Sequence, residues 1–512
     1  MNSYRIVIGL TNSKDLNLLP LFLNFLQFKE KINNLSVMIF CQNIRLKNLV
    51  KNINDPRIND IISDSELHFL AHIKKDNNSL SNDIPIKTLK FLASSDRSIS
   101  YDYFPLTKAI KKVLTNKDYK NHYHYVAKKF QLTIQKLKDF DPDFLLAFTR
   151  DNGPVMYNYL YFASKRINRK IFFQHWLRVE GIITINDTIF EKCKKNEDIY
   201  NNIIDLKIAH NKKVFDYRSK YIESNKKVIE RYYGETINKN KKLFNNFIKT
   251  VFQLWRIKYI ILQLNKFYSN KRLRINDRID SLSIIILNFR KWYFLKKLEP
   301  RFHQLNKKQK YIYYPLHAEP EVSTLVIGNK YIDQLSLIKT LGITFKKLGY
   351  KVIIKGHPHH YHTLPFYYMQ KILSIDNVYL VDHRINGIRL IKNAELIITS
   401  TGTSSLEACY MGKKSITLEK TVFSGFINSP VEKLDNLSID SLKRILDKKD
   451  SKEDIKQRGL AWIQTTFNNK NFNLIGNSWE SLDIAKNNKK FRESYFQFIC
   501  DSLKRDFQIG LN

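Results

Sequence analysis

Residues 400–412 read STGTSSLEACYMG, a stretch rich in Ser, Thr and Gly that interrupts the strand-forming run ELIIT and then resumes as a helical pattern. Ser404 and Glu407 stand in S-x-x-E spacing, which predicts a capping box with Ser404 as cap and Glu407 reaching back. A helix start also offers free N–H groups and the positive end of a dipole, which suit a phosphate. On that reading Gly402 lets the backbone come close, and Thr401, Thr403 and Ser405 add hydroxyl donors.

A second cluster, KGHPHHYH, holds four of the thirteen His within six residues. Metal ligands on one loop need partners elsewhere, and no Cys or carboxylate cluster supplies them, so no metal is expected. His357, at a strand's end, is placed to donate a hydrogen bond to a leaving phosphate. Pro358 fixes the turn that aims it, and Lys355 adds charge to the same site or points to solvent. In YYPLHAEPE, His317, Glu319 and Glu321 follow another strand, stiffened by Pro315 and Pro320. Two carboxylates beside an imidazole could bind sugar hydroxyls, a ribose or a base; an ordinary acidic loop explains them equally well. The DPD of residues 141–143 mimics a metal–nucleotide D-x-D motif but precedes its strand, on the wrong side of a sheet. Asp151 follows that strand, and Glu180 and Asp187 follow KIFFQHW. One of these three is expected to serve as general base or nucleophile.

The elements that must position these loops alternate strand and helix. YRIVIGL, LSVMIF, DFLLAFT and KIFFQH read as strands, with helical patterns DLNLLPLFLNFLQFKEKI and VMYNYLYFASKRI. This predicts a doubly wound α/β domain over 1–204. Residues 205–306 are basic, poor in Gly and helical in period, and read as a helical insert. They suit an anionic membrane surface or a packed helix with a basic outer face. From 307 to 440 the alternation returns as YIYYPL, YKVIIKG, VYLVD, ELIITS and KSITL with helices between, a second doubly wound domain. Residues 441–512 read as helices, partly crossing back to the first domain. In open parallel sheets ligands lie beyond the carboxyl ends of the strands, so the loops above face a cleft between two Rossmann-like halves.

Composition sets the limits. The chain has 512 residues, 43% hydrophobic, with 33 Phe and 28 Tyr, which is globular and too long for one core. No apolar run reaches the roughly 18 residues that span a bilayer, and the first residues do not read as a signal peptide. Cys41, Cys193, Cys409 and Cys500 are scattered, as in a reducing cytosol. The net charge of +38 reflects either an anionic partner or a Lys-, Asn- and Ile-rich composition. No nucleic-acid-binding signature is present, and nucleic acid is not expected as a partner.

Taken at their separations, YIYYPLHAEPEVSTLVIG, YKVIIKGHP and LIKNAELIITSTGTSSLEACYMGKKSIT resemble the capsule polysaccharide biosynthesis family, which includes Kdo transferases of capsule and lipopolysaccharide. The resemblance covers about residues 311–420 strongly and 140–190 weakly. It implies a GT-B fold with a nucleotide-sugar donor held mostly by the C-terminal half. It implies that His357 contacts the donor phosphate, that Thr403, Ser404 and Ser405 hold it from the helix start, and that Glu321 matches the family's P-L-H-x-Q-P-E. Glu319 stands where that family usually has Gln, and Ser405 where Gly is common. The expected activity is transfer of an acidic sugar such as Kdo or a sialic acid-like nonulosonate from a CMP-sugar to a glycan or glycolipid, with no cofactor. The expected place is the cytoplasm, including the inner face of the membrane. A UDP- or GDP-sugar transferase or a UDP-sugar epimerase keeps the same fold. A non-catalytic polyanion-binding protein would need none of these turns.

Overall fold

The computed structural model describes residues 3–73, 84–95, 119–148, 155–179, 181–190, 194–205, 212–223, 297–306, 309–317, 331, 333–357, 366–427, 438–467, 471–474 and 484–509. It divides into two compact units: Met1–Ser100 with Lys117–Asp198 and Thr465–Asn512, and Tyr101–Asn116 with Ile199–Gln464.

The first unit is built on β1 (Ser3–Leu10), β2 (Asn34–Cys41), β3 (Ile58–Ser63), β4 (Phe144–Ala147), β5 (Lys170–Trp176) and β6 (Ile182–Asn186). The second is built on β7 (Tyr311–Pro315), β8 (Lys351–Lys355), β9 (Val378–Val381), β10 (Leu396–Thr399) and β11 (Ser415–Thr417). The first sheet runs β3-β2-β1-β4-β5, all parallel, and then β6 returns antiparallel; β12 (Phe472–Asn473) pairs with β6. The second runs β9-β8-β7-β10-β11, all parallel. Both are therefore doubly wound in the 3-2-1-4-5 order, and each has its switch point between its first and fourth strands, β1/β4 and β7/β10. The expected α/β class is what the chain adopts.

Burial explains these strands. All four residues of β4 and all four of β10 are buried, the uniform apolar run of a parallel strand covered on both faces. In the first unit Leu18, Leu19, Phe22 and Phe25 of the helix Ser13–Phe28 pack with Phe496 and Ile499 of the helix Lys489–Phe507. The Phe22 ring lies 5.1 Å from both Phe148 and Phe496. In the second unit one face of the sheet buries Ile312, Tyr314 and Ile354 against Leu341 and Phe345 of the helix Gln334–Lys347. The other face buries Tyr311, Tyr313 and Ile353 against Leu390 and Ile391 of the helix Gly387–Asn393 and Ala408 of the helix Ser404–Tyr410. Side chains alternate along a strand, so Lys355 projects to the same face as Ile353. Helix ends follow local rules: Asp333 caps the helix Gln334–Lys347, and Gly349 takes a positive φ of 77° just beyond it.

Two features differ from expectation. β3, with polar residues inside INDIIS, is a strand where the sequence reading passed over it. After KIFFQHW, where a loop beside the cleft was expected, the chain turns back into β6, antiparallel to β5. The Leu177 amide bonds the Ile182 carbonyl at 3.1 Å, and Arg178 and Gly181 take φ of 59° and 76°. Residues 212–223 are helical as the basic insert predicts, while 224–296 of that insert lie outside the described residues. Among the described residues no helix is long and apolar enough to cross a membrane. Cys41, Cys409 and Cys500 are free and buried.

Phe345 is fully buried in the second unit. Phe345→Ala should lower stability by ~3–5 kcal/mol in urea denaturation; a loss under ~1 kcal/mol would contradict the packing of the helix Gln334–Lys347 on its sheet.

Candidate functional site

The second unit's switch point is where the sequence clusters meet. β7 ends at Pro315 and leads through Leu316 to His317; β10 ends at Thr399 and leads into the STGTSS turn. His317 is 8% exposed, and its imidazole bridges the two strand ends. Its Nε2 lies 3.0 Å from Thr399 Oγ1, and accepts the amide N–H of Ser400 at 3.2 Å and of Thr401 at 3.4 Å. Thr399 Oγ1 in turn accepts the Gly402 amide at 2.9 Å. An atom that accepts two amides carries no proton, so the Thr399 hydroxyl donates to Nε2 and the imidazole is neutral. Burial agrees, pushing the His317 pKa down to about 4. The His317 amide donates to Gln334 Oε1 at 2.9 Å, which fixes the other end of the lock.

This geometry reassigns several residues. His317 does not offer Nε2 to a sugar or base; it shapes the turn. Gly402 is needed because a Cβ there would sit 2.5 Å from Thr399 Oγ1 and 3.2 Å from His317 Cε1. The close approach is by the protein's own side chains. Ser405 is fully buried and ties the helix to β11. Its hydroxyl donates to the Gly402 carbonyl at 3.1 Å and accepts from Thr417 at 3.0 Å. The expected capping box does not form. Thr403 is the cap, without a side-chain bond, and Ser404 is the first helical residue. A variant of the box occurs instead in the first unit. There Asn12 accepts the Lys14 and Asp15 amides at 2.9 and 3.0 Å, and its Nδ2 donates to Asp15 Oδ2 at 2.6 Å.

What the turn leaves open is informative. The amides of Ser400, Thr401 and Gly402 are committed to His317 and Thr399. Among the described residues, those of Thr403 and Ser404 have no acceptor. The Ser400 hydroxyl is buried and unpaired. His357, half-buried, follows β8 on the same sheet edge. Lys355 is 5% exposed; burial pushes its pKa down to about 8, with Glu407 and Asp382 pulling it back. Burial raises the Glu407 carboxyl in turn, opposed by Lys355 and by the Tyr221 hydroxyl at 3.5 Å. Asp382 and His383 follow β9 onto this edge and were missed by the sequence reading. Their only signal was DHR directly after an apolar run, the same position that singled out the other loops.

Pro358, Glu319, Glu321, Asp151 and Glu180 lie outside the described residues. Asp187 is exposed, and β6 carries it away from the carboxyl ends: Asn186 is already opposite Phe173, halfway back along β5. The DPD residues sit at the amino ends and hold structure. Asp143 Oδ2 accepts the Arg5 amide at 2.7 Å, and Asp141 pairs with Arg169 at 2.8 Å. A groove of about 700 Å³, lined in part by His303, Asp376, Asn377 and Tyr379, opens at the amino end of β9, away from the loops above. Among the described residues no three His, Cys, Asp or Glu are grouped to hold a metal ion.

No family model and no curated protein matches the chain. Among solved structures it is similar to the UDP-GlcNAc 2-epimerase of Methanocaldococcus jannaschii, at 12% identity over 89% of this chain and 97% of that one, with a TM-score of 0.27. It is also similar to a glycosyltransferase from Rickettsia africae ESF-5, at 13% identity over 96% and 99% of the two chains, with a TM-score of 0.25. The glycotransferase of kitacinnamycin aligns at 9% identity over 95% and 99%, with a TM-score of 0.26. Likeness at this level assigns no activity to this chain.

Folding lowers the proton affinity of His317 from the free-imidazole value near 6.5 to about 4. Between those values the unfolded chain binds the extra proton. The stability this group contributes is therefore present above pH 6.5 and lost as pH falls towards 4, up to ~3 kcal/mol in all. Denaturant titrations at pH 7 and pH 5 should show this loss in the wild type and a smaller one in His317→Gln. Equal losses would place the titration elsewhere, for instance at His383, which burial also pushes down to about 4.

Proposed function

We propose that the chain is a nucleotide-sugar-dependent glycosyltransferase of surface polysaccharide assembly, with its donor on the second unit. One observation carries this reading. The amides of Thr403 and Ser404, which have no acceptor among the described residues, and the His357 imidazole all follow strands of one 3-2-1-4-5 sheet, beside its β7/β10 switch point. Donors so placed suit a phosphate, and a donor group already oriented towards a departing phosphate lowers the cost of its charge. The resemblance to capsule polysaccharide enzymes narrows the donor to a CMP-linked acidic sugar in a GT-B arrangement, requiring no metal. Asp151 and Glu180 are then the first carboxylates to test as base or nucleophile, ahead of Asp187. The acceptor is a glycan or glycolipid, and the basic insert suits the anionic inner face of a membrane.

The test is thermal stabilisation by CMP, UDP and GDP at matched concentration without added metal. A ligand at a hundred times its Kd stabilises the native state by ~2.7 kcal/mol. CMP alone should raise the midpoint, and His357→Ala should remove the shift and cut transfer at least a hundredfold. A shift with UDP or GDP alone moves the donor to that nucleotide and reopens epimerisation. Salt-sensitive binding of any polyanion with no nucleotide shift would sink the enzyme reading.

A further inference from the structure

Beside the turn, on the face of the second sheet that carries the helices Gly387–Asn393 and Ser404–Tyr410, two side chains that end in donor groups are more than nine-tenths buried. Lys355, the last residue of β8, is 5% exposed, and Tyr313, on neighbouring β7, is 2% exposed. Among the described residues neither the Lys355 ammonium nor the Tyr313 hydroxyl makes a hydrogen bond or ion pair. Glu407 and Asp382 act on Lys355 only at a distance. Asp382 is paired with Arg384 at 2.6 Å, and Glu407 faces Tyr221. Native interiors rarely leave such groups unpaired.

Gly387 shows where a partner would sit. A Cβ at this position would lie 3.9 Å from Tyr313 Oη and 4.0 Å from Lys355 Nζ, and would meet nothing else within 4 Å among the described residues. The glycine therefore leaves a gap one small group wide, with an ammonium and a phenol on its walls. Both walls donate hydrogen bonds, so the group that fits must accept them, and the charge on Lys355 makes it an anion.

We infer that Lys355, Tyr313 and Gly387 form a second anion subsite, which takes an acidic group of the donor other than the phosphate held by the Thr403–Ser404 amides. This rests on the proposed nucleotide-sugar reading and adds that the ligand carries two anionic groups. The second is either the carboxylate of an acidic sugar or the second phosphate of a nucleoside diphosphate. The chemistry of the subsite is the same for both.

The experiment compares dissociation constants of CMP, CDP and CMP-linked sialic acid for the wild type, Lys355→Gln and Gly387→Ala. Gln removes the charge without burying a new one, and Ala fills the gap in a helix that tolerates it. The wild type should bind one of the two ligands that carry a second anionic group at least tenfold more tightly than CMP. Both variants should bring that ratio close to one. The ligand that shows the effect names the source, carboxylate or phosphate. A ratio that survives in both variants, or a wild-type ratio near one, overturns the inference while leaving the nucleotide reading intact.

Inorganic phosphate provides an arm that does not need a nucleotide. It should raise the wild-type midpoint more than that of either variant. If no nucleotide binds but this difference persists, the donor reading falls and the anion subsite stands. If phosphate stabilises all three proteins equally and no nucleotide binds, both fall. Binding of the ligand with the second anionic group should also weaken as pH rises through about 8, where Lys355 loses its proton. Among the described residues Glu407, Asp382 and His383 are the groups that act on Lys355, and Tyr311, Tyr313, His357, Arg384, Arg389, Lys392, Tyr410 and Tyr221 are further titratable or charged groups on the surrounding elements. A decline with pH that is unchanged in Lys355→Gln would count against the assignment.

Discussion

One unprotonated nitrogen, Nε2 of His317, decides the shape of the crevice between β7 and β10. The STGTSS turn has more polar groups than it can satisfy alone, since β10 ends and the next helix has not yet begun. By collecting two amides and the Thr399 hydroxyl, the imidazole removes the inner half of the turn from any contest for ligands. The outer half, Thr403 and Ser404, is left with no acceptor for its N–H groups among the described residues. Gly402 follows from this, because no side chain fits between the Thr399 hydroxyl and the ring. Gln334 follows too, as the group that holds the His317 backbone still. A charged imidazole could not accept these bonds, which is why burial and function of the lock require the same protonation state.

The second unit was largely legible. Its strands are short, mostly apolar and separated by helices with clear ends, such as the one that Asp333 opens and Gly349 closes. Period and punctuation were enough there. The first unit was less so. β3 has Asn and Asp within it because half of an edge strand meets water. The β5–β6 hairpin lacks the Asn-Gly type of signal, so it looked like a loop after a parallel strand. Asp187 was misplaced for that reason: sequence order said "after a strand", and only strand direction says which edge.

The candidate turn was legible in its place after β10 and not in its internal bonds. Ser404–Glu407 matched a capping pattern, yet capping depends on backbone angles that the pattern does not contain. His317 read as a ligand contact because its chemistry allows one, and its three partners on another strand were invisible in the sequence. Lys355 stood open between a buried and a solvated role. What separated them was the alternation that puts it on the same face as Ile353, beneath two helices. Asp382 and His383 were overlooked because the loop that carries them has no Gly-rich or His-rich signature.

The first sheet has its outermost strand, β12, and one of its covering helices, Lys489–Phe507, at the far end of the chain. Leu474, Phe496 and Ile499 pack with Leu18 and Phe22 from its beginning. Synthesis proceeds from the N-terminus at a pace of several residues per second. The second unit's strands, from Tyr311 to Thr417, are therefore all made before the first unit has its last layer. The unit that is born first matures last, and during that interval its apolar face is the part of the nascent protein that a chaperone would be expected to cover.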